Sequence, residues 1–300
     1  MQLAIATEPP LTTLKGRLLQ RILSLALGLM VCRLVLAQVP TSSTPDEQAW
    51  TLLNAGAQSD SADTRRITIG VLGVIVKNRR AARRAEEALS DDKAEVRIAA
   101  ATALGQIESS ASVPKLLSAL EDKEPAVVLA AAQSLIRLKS DRGYEVYYEI
   151  LTGKRSGGKG AVSKELETLK NPKKLAELGF EEGVGFVPFG GMGLETLRVL
   201  RGGSNFAVRA AAAKVLSRDP QPEAETALTD AVSDKSWQVR VAAIDALAER
   251  GDPRLLAPIE TAMKDDKDEV KYSAAAAVLR LLDVERNQSR KSPKKKPLGN

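Results

Sequence analysis

Apolar residues recur along this chain with helical spacing, and the spacing is itself repeated. Val96, Ala99, Ala100, Ala103, Leu104 and Ile107 lie at i, i+3, i+4, i+7, i+8 and i+11, one stripe on one helix. Val96 and Val127 are 31 residues apart, as are Val208 and Val239, and then Val239 and Val270. Upstream, Arg65 to Leu72 matches Arg97 to Leu104 at a shift of 32. A second helix follows each stripe after a short polar break. In the first clear unit Ser112 can cap it, Pro114 suits its first turn, and Leu116, Leu117 and Leu120 supply a buried side; Pro253 plays the same part later. No alternating run of β-branched residues bounded by turns interrupts this pattern. The spacing predicts an all-α chain, an α-solenoid of two-helix repeats in which each unit buries its apolar side only against its neighbours.

An aspartate stands five residues before four of the register valines: Asp91, Asp122, Asp234 and Asp265. Each falls where one helix should end and the next begin, so we expect it to accept hydrogen bonds from the free N–H groups of a helix start. Arg65, Arg97, Arg209, Arg240 and Lys271 follow at the register position or just after it. These charges could form an ion-binding ladder. Their recurrence at the repeat period favours capping and bonding between repeats.

From Asp234 through Leu247 the chain reads Asp-Lys-x-x-x-Val-Arg-x-Ala-Ala-x-x-Ala-Leu, which resembles the short HEAT repeats of the phycobilisome-lyase-like class. The resemblance spans roughly residues 50 to 151 and 195 to 283. It implies a helical array with a long curved face for a partner, and it says little about chemistry, because the class holds scaffolds, adaptors and a few enzymes. Among the enzymes are the deoxyhypusine hydroxylases, whose di-iron centre uses His-Glu pairs on successive repeats. This chain has no histidine. It therefore offers no imidazole ligands and no Ser-His-Asp or Cys-His set. The four repeat aspartates should stand about a repeat apart, too dispersed for one cation cage. We expect a protein that is not an enzyme and carries no cofactor or metal. The alternatives are a relative of the lyase or hydroxylase type and a peripheral protein of membrane surfaces.

Aromatic residues make up only 3% of a chain that is 44% hydrophobic, so the core must be thin and built on alanine. The net charge of +6 is unevenly placed. Residues 1 to 37 carry +3 and residues 286 to 300 carry +6, which leaves the body at −3. Such a body gives no continuous basic track for a phosphate backbone, which argues against nucleic acid as a partner. The tail, residues 285–300, has almost no apolar content and is expected to be disordered. Its basic residues could reach an anionic membrane or an envelope polymer. No aromatic residues are interleaved with them for base stacking.

The N-terminus has the order of an export signal: Lys15, Arg17 and Arg21, then the apolar run Ile22 to Cys32, then Val35-Leu36-Ala37. Cleavage is expected after Ala37, giving an exported, periplasmic protein. Arg33 shortens the apolar run below a comfortable span, so an uncleaved membrane anchor is the second reading. Cys32 follows the bulky Val31, which suits lipid attachment poorly. It is the only cysteine, and a chain starting at Gln38 has none for a disulfide.

This gives a signal peptide at 1–37, a linker at 38–48, repeats at 49–151 and 204–284, and an insertion at 152–203 where the rhythm fails. Val127 and Val208 are 81 residues apart, 19 more than two repeats need. Within the insertion, Gly153 to Gly160 nearly matches a phosphate-binding loop, but Gly160 stands where Ser or Thr would hold magnesium and no strand precedes it. Phe180, Phe186 and Phe189 are three of the four phenylalanines in the chain, set in a Gly-rich stretch, and Tyr144, Tyr147 and Tyr148 come just before the insertion. Either the phenylalanines fold back to plug the stack, or this aromatic group, Tyr144 to Phe189, forms the contact site for an unknown protein partner or a membrane.

Overall fold

The computed structural model describes residues 43–152 and 205–291. Within them lie twelve α-helices and no strand. We number them α1 Pro45–Ala57, α2 Ala62–Val71, α3 Arg79–Ala88, α4 Ala94–Gln106, α5 Val113–Ala119, α6 Pro125–Arg137, α7 Arg142–Leu151, α8 Asn205–Leu216, α9 Pro222–Ala231, α10 Trp237–Arg250, α11 Leu256–Ala262 and α12 Asp268–Lys291. Short 3-10 turns at Leu72–Val74, Ser110–Ser112 and Pro253–Leu255 link some of them.

The even-numbered helices from α2 to α12 carry the register residues. Val96, Val127 and Val270 are fully enclosed, and Ala100, Ala131, Ala243 and Ala274 likewise. Small side chains let these helices approach closely. Ser134 Oγ on α6 donates to the Ala101 carbonyl of α4 at 2.8 Å, and a Cβ on Gly105 would fall 3.0 Å from the Ser134 backbone. The thin alanine core read from the composition is therefore a row of near backbone-to-backbone contacts.

The repeat aspartates start the helices by a different route from the expected cap. Asp91 Oδ1 accepts the Lys93 N–H, two residues on, and Asp122, Asp234 and Asp265 accept those of Glu124, Ser236 and Lys267 in the same way. These are Asx turns, set before the cap position. The cap residues Lys93, Glu124 and Ser236 make no side-chain capping bond. Ser112 makes none either; its hydroxyl donates to Glu86 Oε1 at 2.5 Å, while Pro114 does occupy the first turn of α5. Genuine side-chain caps occur at Thr44, Ser61 and Asn78, the first with a full capping box to Glu47.

The order of the layers in space differs from their order in the chain. Helix α2 packs on α4 and α4 on α6; separately α8 packs on α10 and α10 on α12. The last helix, α12, then packs on α1 and α2. The row of register helices thus runs α8, α10, α12, α2, α4, α6, and α1 serves as the second helix of the layer that α12 begins. Among the described residues the two ends of the row, α8 and the α6/α7 pair, flank residues 153–204 in sequence. Helix α7 packs back onto α6, with Gly143 against the Ala132 carbonyl and Ile136, as the second helix of that layer.

Candidate interaction surface

One line of the structure is built from charge. Arg65 Nε and Nη2 grip Asp91 at 2.8 and 2.9 Å, and Arg97 grips Asp122 at 2.7 and 2.9 Å. Arg209 pairs with Asp234, and Arg240 reaches Asp265 at 2.8 Å. Each arginine therefore bonds the aspartate of the next layer. Arg65, Arg97 and Arg240 also donate to a carbonyl of their own turn, at Ser59, Asp91 and Asp234. The Arg65 guanidinium holds the Asp91 carboxyl below its ordinary range. Burial would raise Asp122 and Asp265, but the bonds from Arg97, Arg240 and the turn N–H groups outweigh it and hold both low. The ladder ties layer to layer, as its period suggested, and its carboxylates are already occupied by arginine. Among the described residues no cluster of three His, Cys, Asp or Glu could hold a metal ion.

Asp245 on α10 is an exception. Its Oδ2 is closed off from solvent with no hydrogen-bond partner. Burial pushes the carboxyl up to about 7, with Lys214 of α8 lowering it and Glu249 raising it. The sequence signal was available: Lys214 and Asp245 are 31 residues apart and so adjacent in the stack.

The aromatic residues singled out in the sequence divide between two regions. Tyr144 and Tyr148 are 61% and 65% exposed on α7, Tyr147 beside them is 39% exposed, and Leu151 ends the helix at 85%. Tyr144, Tyr148 and Leu151 stand at i, i+4 and i+7, so the structure gathers them into one stripe on α7. Val146, on the opposite side, is fully buried. Phe180, Phe186 and Phe189 lie outside the described residues, as do the export signal and the phosphate-loop-like stretch. The fourth phenylalanine, Phe206, packs partly buried against the core. No described helix is long and apolar enough to cross a membrane.

HEAT repeats match residues 50–151 and 195–280, well over half of the chain. The chain belongs to the HEAT-repeat family. Among solved structures it is similar to the complex of CpcE and CpcF of phycocyanin lyase from Nostoc sp. PCC7120, with 20% identity over 84% of this chain and 97% of that one, at a TM-score of 0.31. It is similar also to human deoxyhypusine hydroxylase in complex with glycerol, with 20% identity, 82% and 86% coverage and a TM-score of 0.30. A designed armadillo repeat protein matches 79% of this chain at 14% identity and a TM-score of 0.25. Comparison with curated proteins returned no match.

Proposed function

We propose that this HEAT-repeat chain is a non-catalytic protein-interaction scaffold of the bacterial cell envelope, exported by its N-terminal segment, and that the tyrosine stripe of α7 contacts its protein partner. The observation that carries the reading is the stripe itself. Tyr144, Tyr147, Tyr148 and Leu151 are four of the seven large apolar side chains left exposed in the described residues, and they share one helix. Tyrosine offers broad contact area with little rotamer entropy to lose, which is why it anchors many interfaces. The ladder carboxylates support the non-catalytic part, because arginine already holds them. The export part rests on the sequence order of residues 15 to 37.

The test is affinity capture from native envelopes with the wild-type chain and with Tyr144→Ala/Tyr148→Ala. Both side chains are mostly exposed, so melting should change little while a specific captured protein is lost. An unchanged capture profile would remove the stripe from the reading. N-terminal sequencing of native material checks export separately, with Gln38 as the expected first residue.

A further inference from the structure

The body's net charge conceals a local concentration of positive charge on α3. This ten-residue helix carries Arg79, Arg80, Arg83 and Arg84 within its first six positions and no acidic residue in its first turn. At 100° per residue the four span an arc of about 140°. Their placement opposes helix stability in two ways. Arg79 and Arg80 set positive charge on the positive end of the helix dipole, and Arg79/Arg83 and Arg80/Arg84 are like-charge pairs at i and i+4.

The neighbouring helix α1 holds part of this face in position. The Arg80 guanidinium lies 4.2 Å from the centre of the Trp50 ring. Arg84 donates to Asn54 at 2.8 Å and pairs with Glu87 at 2.6 Å. Arg79, Arg80 and Arg83 are exposed and form no ion pair among the described residues. Three guanidinium groups, one fixed on an aromatic face, are thus presented together with no carboxylate paired to them among the described residues. A planar guanidinium binds carboxylates in a two-bond fork.

We propose that the arginine face of α3 is a docking surface for an acidic, carboxylate-rich peptide segment of another protein. The face is separate from the α7 stripe, so this site stands or falls independently of it. The charge of the same row of second helices selects a peptide over a membrane. Next to α3, α1 exposes Glu47, and α9 in that row exposes Glu223 and Asp230. An extended anionic surface would meet those acids, whereas a short segment can confine itself to α3.

The test is fluorescence anisotropy of a labelled deca-glutamate peptide with the full chain, in parallel with sedimentation of phosphatidylserine vesicles. Arg79→Ala/Arg83→Ala should weaken peptide binding by about fivefold or more, without lowering the melting temperature, and added salt should weaken the wild-type complex. Lys294→Ala/Lys295→Ala/Lys296→Ala controls for the basic tail and should keep most of the binding. If the double variant melts early, Arg83→Gln alone, which keeps length and polarity, should still weaken the complex. Unchanged binding in the α3 variants, or a loss found only in the tail variant, would overturn the proposal. So would α3-dependent binding to vesicles without binding to the peptide.

Discussion

The junction between α4 and α6 and the junction where α12 meets α1 and α2 solve the same packing problem with different chemistry. At the first, chain neighbours stack in register and Arg97 crosses to Asp122 in a two-bond fork, both side chains nearly buried. At the second, the two ends of the described chain meet. Lys271 stands in the arginine position and Ser59 in that of the aspartate. Lys271 turns back to Asp268 of its own helix at 2.7 Å, and Asp268 is reached across the junction by Thr64 at 2.9 Å. Asn78 bonds Asp283 at 2.8 Å, Arg280 spans the carbonyls of Ala248 and Val74, and Arg286 reaches Asp46 at 2.6 Å. One strong repeated bond has been replaced by several dissimilar ones. A periodic ladder stacks any layer on any other, whereas the bonds at the α12 junction fit only these partners, which specifies the permuted order.

Removing the ladder bond should have the largest effect on the two junctions. Arg97→Ala leaves Asp122 largely buried with no guanidinium beside it, and should cost about 3 kcal/mol, near the lower end for breaking a buried pair. Lys271→Ala removes a half-exposed pair within one helix and should cost about 0.5 kcal/mol. Urea melts of the two variants measure the contrast. Equal losses would mean that the α12 junction depends on its cation as the inner junctions do.

Gly56 tests the α12 junction directly. A Cβ there would come within 2.3 Å of Thr68 Oγ1 and 2.7 Å of the Tyr272 ring, where α1, α2 and α12 converge. The ring is buried and cannot swing clear. Gly56→Ala should therefore destabilise by about 2 kcal/mol despite the helix propensity it gains. Hydrogen exchange would locate the damage, with α1 and α12 losing protection and α4 and α6 keeping theirs.

Much of this was legible in advance. The 31-residue period, the enclosed alanines, the enclosed valines other than Val208, which is exposed on α8, and the solenoid class follow from local spacing. Three of the four described left-handed residues repeat too: Glu108, Lys139 and Gly251 each stand twelve beyond a register valine, whereas Lys77 does not. The aspartates and their bonding between repeats were legible, but not that each forms an Asx turn ahead of the cap residue, because sequence position alone does not separate a cap from an Asx turn two residues earlier. The order of layers was illegible for a physical reason. Every register helix offers nearly the same alanine face, so periodicity cannot say which layer meets which. The arginine face of α3 was hidden by averaging charge over the body. The tyrosines on α7 were visible as composition, and the structure added that they share a stripe.

A pH-dependent effect separates the α8/α10 junction from the others. Asp245 has a folded pKa of about 7 against an ordinary 3.8, so the folded state keeps its proton where the unfolded chain has released it. That contribution is complete below about pH 4 and is lost as pH rises to about 7. The ladder carboxylates Asp91, Asp122 and Asp265 are shifted the other way, and their contribution is lost as pH falls below about 4. Stability should peak in mild acid. Asp245→Asn should flatten the decline towards neutral pH and melt higher than wild type at pH 8. A decline of unchanged slope in the variant would assign it to another group.

A last effect concerns the turn after three of the register helices, α4, α6 and α10. Gly251 closes α10 at φ +66°, and Glu108 and Lys139 hold the same left-handed turn after α4 and α6 at +59° and +61° without being glycine. A Cβ at Gly251 would meet nothing closer than 3.8 Å, so Gly251→Ala carries no clash and only the backbone cost, about 1 kcal/mol. The reverse change at Lys139 relieves that strain, but it also gives the unfolded chain more freedom to lose on folding, and the two nearly cancel. Lys139→Gly should therefore leave the melting temperature almost unchanged, while Gly251→Ala lowers it. If Gly251→Ala is neutral as well, the turn after α10 has room to relax that those after α4 and α6 do not need, and the two blocks differ in stiffness as well as in how they are joined.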